Sequence, residues 1–342
     1  MTGLARLRGR NNEGVLALVL LVLVIGMSVA NPAFFTLSTG FSVLRSSIVP
    51  LIFALGVLLV IISGGIDVSF AAIAVFAAYT TVKVAGSTAL PLGVVGAFVL
   101  ALVIGALLGL VNGLVIARFR LPTLIVTLGT QGIFKGVLLT YVGARFIADL
   151  PDSMAGLSTT NLLVVGSGQG RAQLHVLVLP AIALAVLLAW LLRRSMFGRS
   201  IYAIGGDREA ARRAGIRVMR TQVWVFVIVG MMAAAGGMFH MIMGRSANPQ
   251  DLVGGELDII AAVVLGGASI FGGRGSVLGT VLGVLLVQVI NNSLILAGVP
   301  SAWQRTAVGV LLIVGVGVQA LAARRSARQV HTTVPDQQEV AA

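Results

Sequence analysis

Few side chains in this 342-residue sequence could do chemistry inside apolar surroundings. Asp67, reached through Gly64-Gly65-Ile66, is the one acid set well within the apolar runs. A carboxylate there either caps a helix broken at the glycine pair or acts as a gate in a solute path. Asn112, Gln131, Gln288, Asn291 and Asn292 are neutral amides in the same surroundings, able to line a polar route for a sugar or to hydrogen-bond one helix to the next. Other chemistries lack their residues. The chain has no Cys, and its three His (His175, His240, His331) lie far apart, so a thiolate site, a cysteine nucleophile and a histidine metal cluster are not expected. A phosphate-cradling G-x-x-x-x-G-K-[ST] loop needs its Lys, yet the two lysines, Lys83 and Lys135, follow Val82 and Phe134. With no nucleophile elbow and no H-E-x-x-H either, the chain reads as a non-enzyme without cofactor or metal, and energised work would draw on another subunit.

A second group of informative residues is charged and polar. The segment Arg193 to Arg220 carries eight Arg. Within it Asp207, behind Gly205-Gly206, suits a helix N-cap, Glu209 suits the first turn, Ala210, Ala211 and Ala214 propagate a helix, and Gly215 can end it. A short surface helix is expected, with two readings. It belongs to a basic loop that orients the protein and touches anionic membrane lipid, or it docks in a groove of a partner with its small residues inside and its arginines at the rim.

Apolar helices must position these residues. The sequence is 58% hydrophobic and 10% charged, with a mean hydropathy of +1.04, whereas soluble domains carry about 25% charged residues. Soluble enzymes and nucleic-acid-binding proteins are thereby excluded. The expected class is all-α: a polytopic integral membrane protein of about ten transmembrane helices, near 14–31, 48–63, 66–85, 91–117, 122–142, 174–192, 219–243, 257–271, 276–297 and 302–323. The net charge of +13 sits in short clusters between these runs. Arg6, Arg8 and Arg10, then Arg118 and Arg120, then 193–220, then Arg274, then Arg324, Arg325 and Arg328 all fall on one side of ten spans, which the positive-inside rule makes cytoplasmic together with both termini. Arg45, Lys83, Arg145, Arg171 and Arg245 run against that scheme. The chain divides into a tail at 1–13, a permease domain at 14–323 containing the loop 193–218, and a tail at 324–342. Gly64-Gly65-Ile66-Asp67 is echoed by Gly254-Gly255-Glu256-Leu257-Asp258, about 190 residues and five spans later. An odd offset would make two inverted five-helix halves, although Gly/Ala/Leu-rich spans also resemble one another by composition alone.

Glu209-Ala210-Ala211, three residues and Gly215 resemble the E-A-A-x-x-x-G loop of ABC importer permeases, whose short helix docks into the ATP-binding subunit. Three further stretches are similar to the ribose/galactose/xylose-type permeases: Asn31-Pro32 with Phe34-Phe35-Thr36, then Gly64-Gly65-Ile66-Asp67-Val68-Ser69, then Gly266-Gly267-Ala268-Ser269 with Gly272-Gly273-Arg274-Gly275-Ser276. The match in order and spacing covers about residues 30 to 320, although Val68-Ser69-Phe70-Ala71-Ala72 stands where the family usually has a Leu-Ser-Val-Gly-Ser-like run. The resemblance implies a permease that moves a monosaccharide or small polyol across a bacterial inner membrane, working with an ATP-binding subunit, a periplasmic sugar-binding protein and a second permease, identical or paralogous. It assigns ATPase coupling to Gly205, Gly206, Asp207, Glu209, Ala210, Ala211 and Gly215. An ion-coupled secondary carrier is the alternative, for which Asp67 is the single intramembrane carboxylate on offer.

Overall fold

Without water to satisfy backbone N–H and C=O groups, apolar runs must close their hydrogen bonds within the segment, and helices do this. The computed structural model describes residues 13–31, 34–87, 93–143, 145–166 and 171–300, with scattered positions from 303 to 317. Its helices are α1 (Glu13–Ala30), α2 (Leu37–Ile62), α3 (Phe70–Ser87), α4 (Val94–Phe119), α5 (Thr123–Val142), α6 (Asp152–Thr159), α7 (Val178–Arg194), α8 (Met196–Gly206), α9 (Arg208–Arg213), α10 (Val218–Gly244), α11 (Glu256–Leu265) and α12 (Val277–Leu296). Each of the first nine expected spans carries a helix, while the tenth, 302–323, and both tails lie outside the described residues apart from those scattered positions. Among the described residues five helices (α2, α4, α5, α10 and α12) are long and apolar enough to cross a membrane, and the pair α7 and α8, bent by 73°, brings the number to six if it is counted as one span. Between α6 and α7 lies an antiparallel hairpin, β1 (Asn161–Val165) with β2 (Ala172–His175), that the all-helical expectation did not contain.

Lipid is as apolar as Leu, so helices in it associate through close packing of small residues. Buried Ala97, Ala101, Gly105, Gly109 and Gly113 form one face of α4, and α10 lies across it in the most extensive helix pairing of the fold. A Cβ at Gly105 would sit 2.3 Å from the Gly230 carbonyl oxygen, and one at Gly109 2.2 Å from that of Phe226. On its other sides α10 packs against α2 and α3, filling the core with Met232, Met238 and Met241.

Contacts fix the directions of the helices. Gly56 meets Val229 while Gly236 meets Phe53, so α2 and α10 are antiparallel. One end of the bundle gathers Ile62, Arg120, Thr123, Arg194, Val218 and Ser276, the ends nearest the Arg-rich segment; the other carries the hairpin. Two helices, the half-helices, start partway through the bundle rather than at one of its ends. The chain re-enters at Gly64 without helix until Phe70, where Ser69 bonds Asn112, seven residues from the end of α4 and hence about 10 Å deep. From there α3 runs toward the hairpin end. Conversely α11 starts at Glu256, which bonds Gln131 about 12 Å into α5, and runs to the Arg-rich end, where Gly266 packs on Gly279. The two half-helices therefore start at similar depth and diverge.

Candidate translocation cavity and coupling surface

A cavity of about 830 Å³ opens where the half-helices start, between α2, α10, α11 and α12. Phe70 and Ala71 of α3 line it, as do Gly255, Asp258 and Ile259 around the start of α11. Its polar groups are Ser42, Arg45, Ser46, His240, Asp258, Gln288 and Asn291. Aromatic surface comes from Phe53 and Phe70, whose ring centroids are 5.3 Å apart at 47°. His240 is oriented by Asp251, with Nε2 3.1 Å from the carboxylate. Hydroxyls, amides and ion-pairing groups beside two rings suit a small polyol, which offers many hydroxyls and apolar C–H faces.

The sequence-derived polar set is split by the structure. Gln288 and Asn291 face the cavity. Asn292 stands behind them and ties α12 to α2: its Nδ2 donates to Ser46 Oγ at 3.3 Å and to the Gln288 carbonyl at 2.9 Å, and its Oδ1 accepts from Ser42 Oγ at 3.4 Å. Asp67 is fully buried away from the cavity lining. Its Oδ1 accepts from the Ser69 backbone N–H at 2.7 Å and from Ser69 Oγ at 2.6 Å, an Asx turn in the stretch that leads into α3. Asn112 Nδ2 donates to the same Ser69 Oγ at 2.8 Å. Gln131 Nε2 donates to Glu256 Oε1 at 2.6 Å, and Glu256 Oε2 accepts the Gly254 N–H at 2.8 Å. On α5, Thr123 Oγ1 accepts from Ile66 N at 2.9 Å and Thr127 Oγ1 from Val68 N at 3.4 Å. Thr123, Thr127 and Gln131, spaced by four, thus make one stripe on α5 that holds the entries of both half-helices.

At the Arg-rich end, Ser195 stops α7 and starts α8, its Oγ accepting from Gly198 N at 2.9 Å. Asp207 then caps α9, with Oδ1 accepting the N–H groups of Glu209 and Ala210 at 2.9 Å each. The helix closes with paired bonds, Gly215 N–H to Arg212 O at 3.0 Å and Ile216 N–H to Ala211 O at 3.1 Å, around Gly215 at φ +83°. Glu209 and Ala210 are exposed, but Ala211 is buried in a small cluster with Ile204 and Val218. Gly205 also points inward. A Cβ there would lie 1.8 Å from the Ile62 carbonyl oxygen, which accepts from Gly273 N at 2.9 Å, and Gly272 packs on both Gly64 and Gly205. Ala211 and Gly205 therefore belong to the internal packing of this surface rather than to its outer face, and Gly206 is open.

The sequence did not single out Ser42 or Ser46; it placed Asp258 only within the internal echo and Arg45 only as an exception to the charge pattern. The available signal was the polar interruption Ser42 to Ser47 inside an apolar helix.

Helices packed through glycine, two half-helices meeting at a polar cavity, and a capped basic helix at one end define a membrane permease. The chain belongs to the family described as branched-chain amino acid transport system / permease component, which matches residues 39–316, and within it to the sugar-type ABC importer permeases. The autoinducer 2 import system permease protein LsrC of Klebsiella pneumoniae is 36% identical over 317 residues, 90% of this chain and 85% of that protein. LsrC of Yersinia pseudotuberculosis serotype O:1b is 32% identical over 304 residues, 89% and 83% of the two chains. No solved structure matches.

Proposed function

We propose that this chain and a second permease, identical or paralogous, form the membrane path of an importer that takes a monosaccharide or similar small polyol from a periplasmic binding protein and releases it into the cytoplasm, powered by ATP hydrolysis in separate subunits. The reading places it in a bacterial inner membrane with both termini and the Arg-rich end cytoplasmic. Import of autoinducer 2, in the names of the relatives, makes that molecule a solute to test beside ribose, galactose and xylose. The observation that carries the reading is α9: a helix of six residues, capped at both ends and leaving Glu209 and Ala210 exposed, which directly follows Gly205, where the entry to α3 at Gly64 meets the loop that leaves α11 at Gly272. A partner that pushes α9 moves Gly64 and Gly272 with it. In this mechanism Gln288, Asn291, Arg45, His240 and Asp258 meet the solute, while Asp67, Asn112 and Gln131 position the half-helices. The second permease approaches the outer face of α5, where a methyl group added at Gly129, Gly132 or Gly136 would have nothing within 4 Å.

The test reconstitutes the permease with its ATP-binding subunit and measures uptake beside hydrolysis stimulated by the binding protein. Glu209→Lys reverses a first-turn charge that suits the helix N-terminus; uptake and stimulated hydrolysis are expected to fall together, at normal membrane abundance. Solute movement by the purified chain down an ion gradient, without any ATPase, would replace this reading with the secondary carrier.

A further inference from the structure

A second cavity, of about 960 Å³, lies at the Arg-rich end between the last turn of α4 and the first turns of α10. Arg118, Arg120, Arg217 and Arg220 line it with no ion pair among the described residues. Two further arginines at its edge are engaged, Arg212 with Glu209 at 2.9 Å and Arg208 with Gln222 at 2.9 Å, and Glu209 is the only acid in the lining. Four unneutralised guanidiniums around one hollow repel one another and favour an anion between them, and the planar fork of Arg matches phosphate oxygens.

What adjoins the hollow indicates what brings the anion. Along α4, Val103, Leu107, Val111 and Leu114 are each about half exposed, at 51%, 57%, 45% and 45%, and one helical turn further the same stripe ends in Arg118. Trp224, 49% exposed, and Met219, 47% exposed, stand on α10 at the rim. An apolar stripe that leads to a cationic hollow through an amphipathic Trp is the profile of a membrane–water boundary. A soluble protein domain would satisfy the arginines and leave the stripe to the bilayer; a phospholipid satisfies both.

We infer that this hollow binds the headgroup phosphate of an anionic phospholipid, with its acyl chains along the Val103 to Leu114 stripe of α4. The site is separate from the polar cavity and borders α9, whose Arg208, Glu209 and Arg212 form its edge. It pins the junction of α4 and α10, the most extensive helix pairing in the fold, at the level where α10 emerges from the Arg-rich segment.

The experiment uses the full chain in nanodiscs, with Trp190→Phe and Trp303→Phe so that Trp224 is the sole Trp fluorophore. Brominated phosphatidylglycerol and brominated phosphatidylcholine are compared as quenchers, each titrated into the other unbrominated lipid. Preference for phosphatidylglycerol is expected to reach about fivefold or more, and to fall to near unity in Arg118→Gln/Arg120→Gln/Arg220→Gln. Arg193→Gln/Arg194→Gln, at the same end but outside the hollow, is expected to retain it. Equal quenching by the two lipids in the parent chain, or a preference untouched by the triple substitution, overturns the site. If the triple variant keeps its lipid preference and instead loses co-purification with the ATP-binding subunit, the hollow belongs to that subunit and the lipid assignment is wrong.

Discussion

A methyl group at position 205 has nowhere to go. It would lie 1.8 Å from the Ile62 carbonyl oxygen, an atom already holding Gly273 N–H, so Gly205→Ala must push apart the end of α2 and the loop before α12. Overpacking of this kind costs about 1–3 kcal/mol, whereas Gly206→Ala has open space and should stay within about 0.5 kcal/mol. Thermal unfolding in detergent is expected to separate the two, with uptake lost only in Gly205→Ala; equal behaviour would show that the contact carries no force. At Asp67, replacement by Asn keeps an acceptor oxygen for Ser69, so Asp67→Asn should fold and transport at a reduced rate, while Asp67→Leu leaves the buried Ser69 donors without their acceptor, at about 1–3 kcal/mol, and accumulates poorly. A fully stable but inactive Asp67→Asn would favour the gating role instead. Sequence reading flagged both positions but could not resolve them. Neighbouring glycines look alike in one dimension, and only the approach of Ile62 distinguishes Gly205 from Gly206.

The elements were legible where local chemistry decides them. The boundaries of α9 follow from Asp207 and Gly215, residues whose capping bonds are made within the segment. The start of α2 was not legible: it lies at Leu37, well before the expected 48, because Ser42, Arg45, Ser46 and Ser47 dilute the apolar run that marks a span. Ser42, Arg45 and Ser46 line the cavity, so on the proposed function the signal of function masks the signal of structure. Within the β1–β2 hairpin and its exit turn, His175 is buried, its Nε2 donating to the Ser158 carbonyl at 3.2 Å and its Nδ1 accepting from Leu177 N at 3.2 Å. Burial lowers its pKa below the usual 6.5, which favours the neutral ring in the folded state. That contribution is present above the unfolded value and is lost as pH falls through about 6.5 toward the folded one. Hydrogen exchange should find the hairpin amides less protected at about pH 5 than at about pH 7.5 after correction for intrinsic rates, and His175→Gln should flatten the difference. An unchanged pH dependence in that variant would remove His175 as its source.

For the molecule as a whole, the absence of Cys makes topology directly measurable. With an impermeant thiol reagent on intact cells, Thr160→Cys beside the hairpin is expected to react and Arg213→Cys at the end of α9 is not; the reverse would invert the protein in its membrane. In the same background, Gly132→Cys on the open face of α5 is expected to form a disulfide between two copies under mild oxidation, if the pair is of identical chains. Composition and arginine placement were enough to suggest a bundle with one basic end, since bilayer insertion is read from those alone. The joining of both half-helix entries on Thr123, Thr127 and Gln131 was out of reach, being a meeting of segments far apart in the chain. That arrangement also separates the residues that line the polar cavity from those of the Gly205 junction, with no position shared. On the proposed function, heritable change can therefore act on the two independently: substitutions at Ser42, Gln288 or Asn291 would alter which cargo a descendant accepts, while its engine and the fit to that engine would be inherited intact.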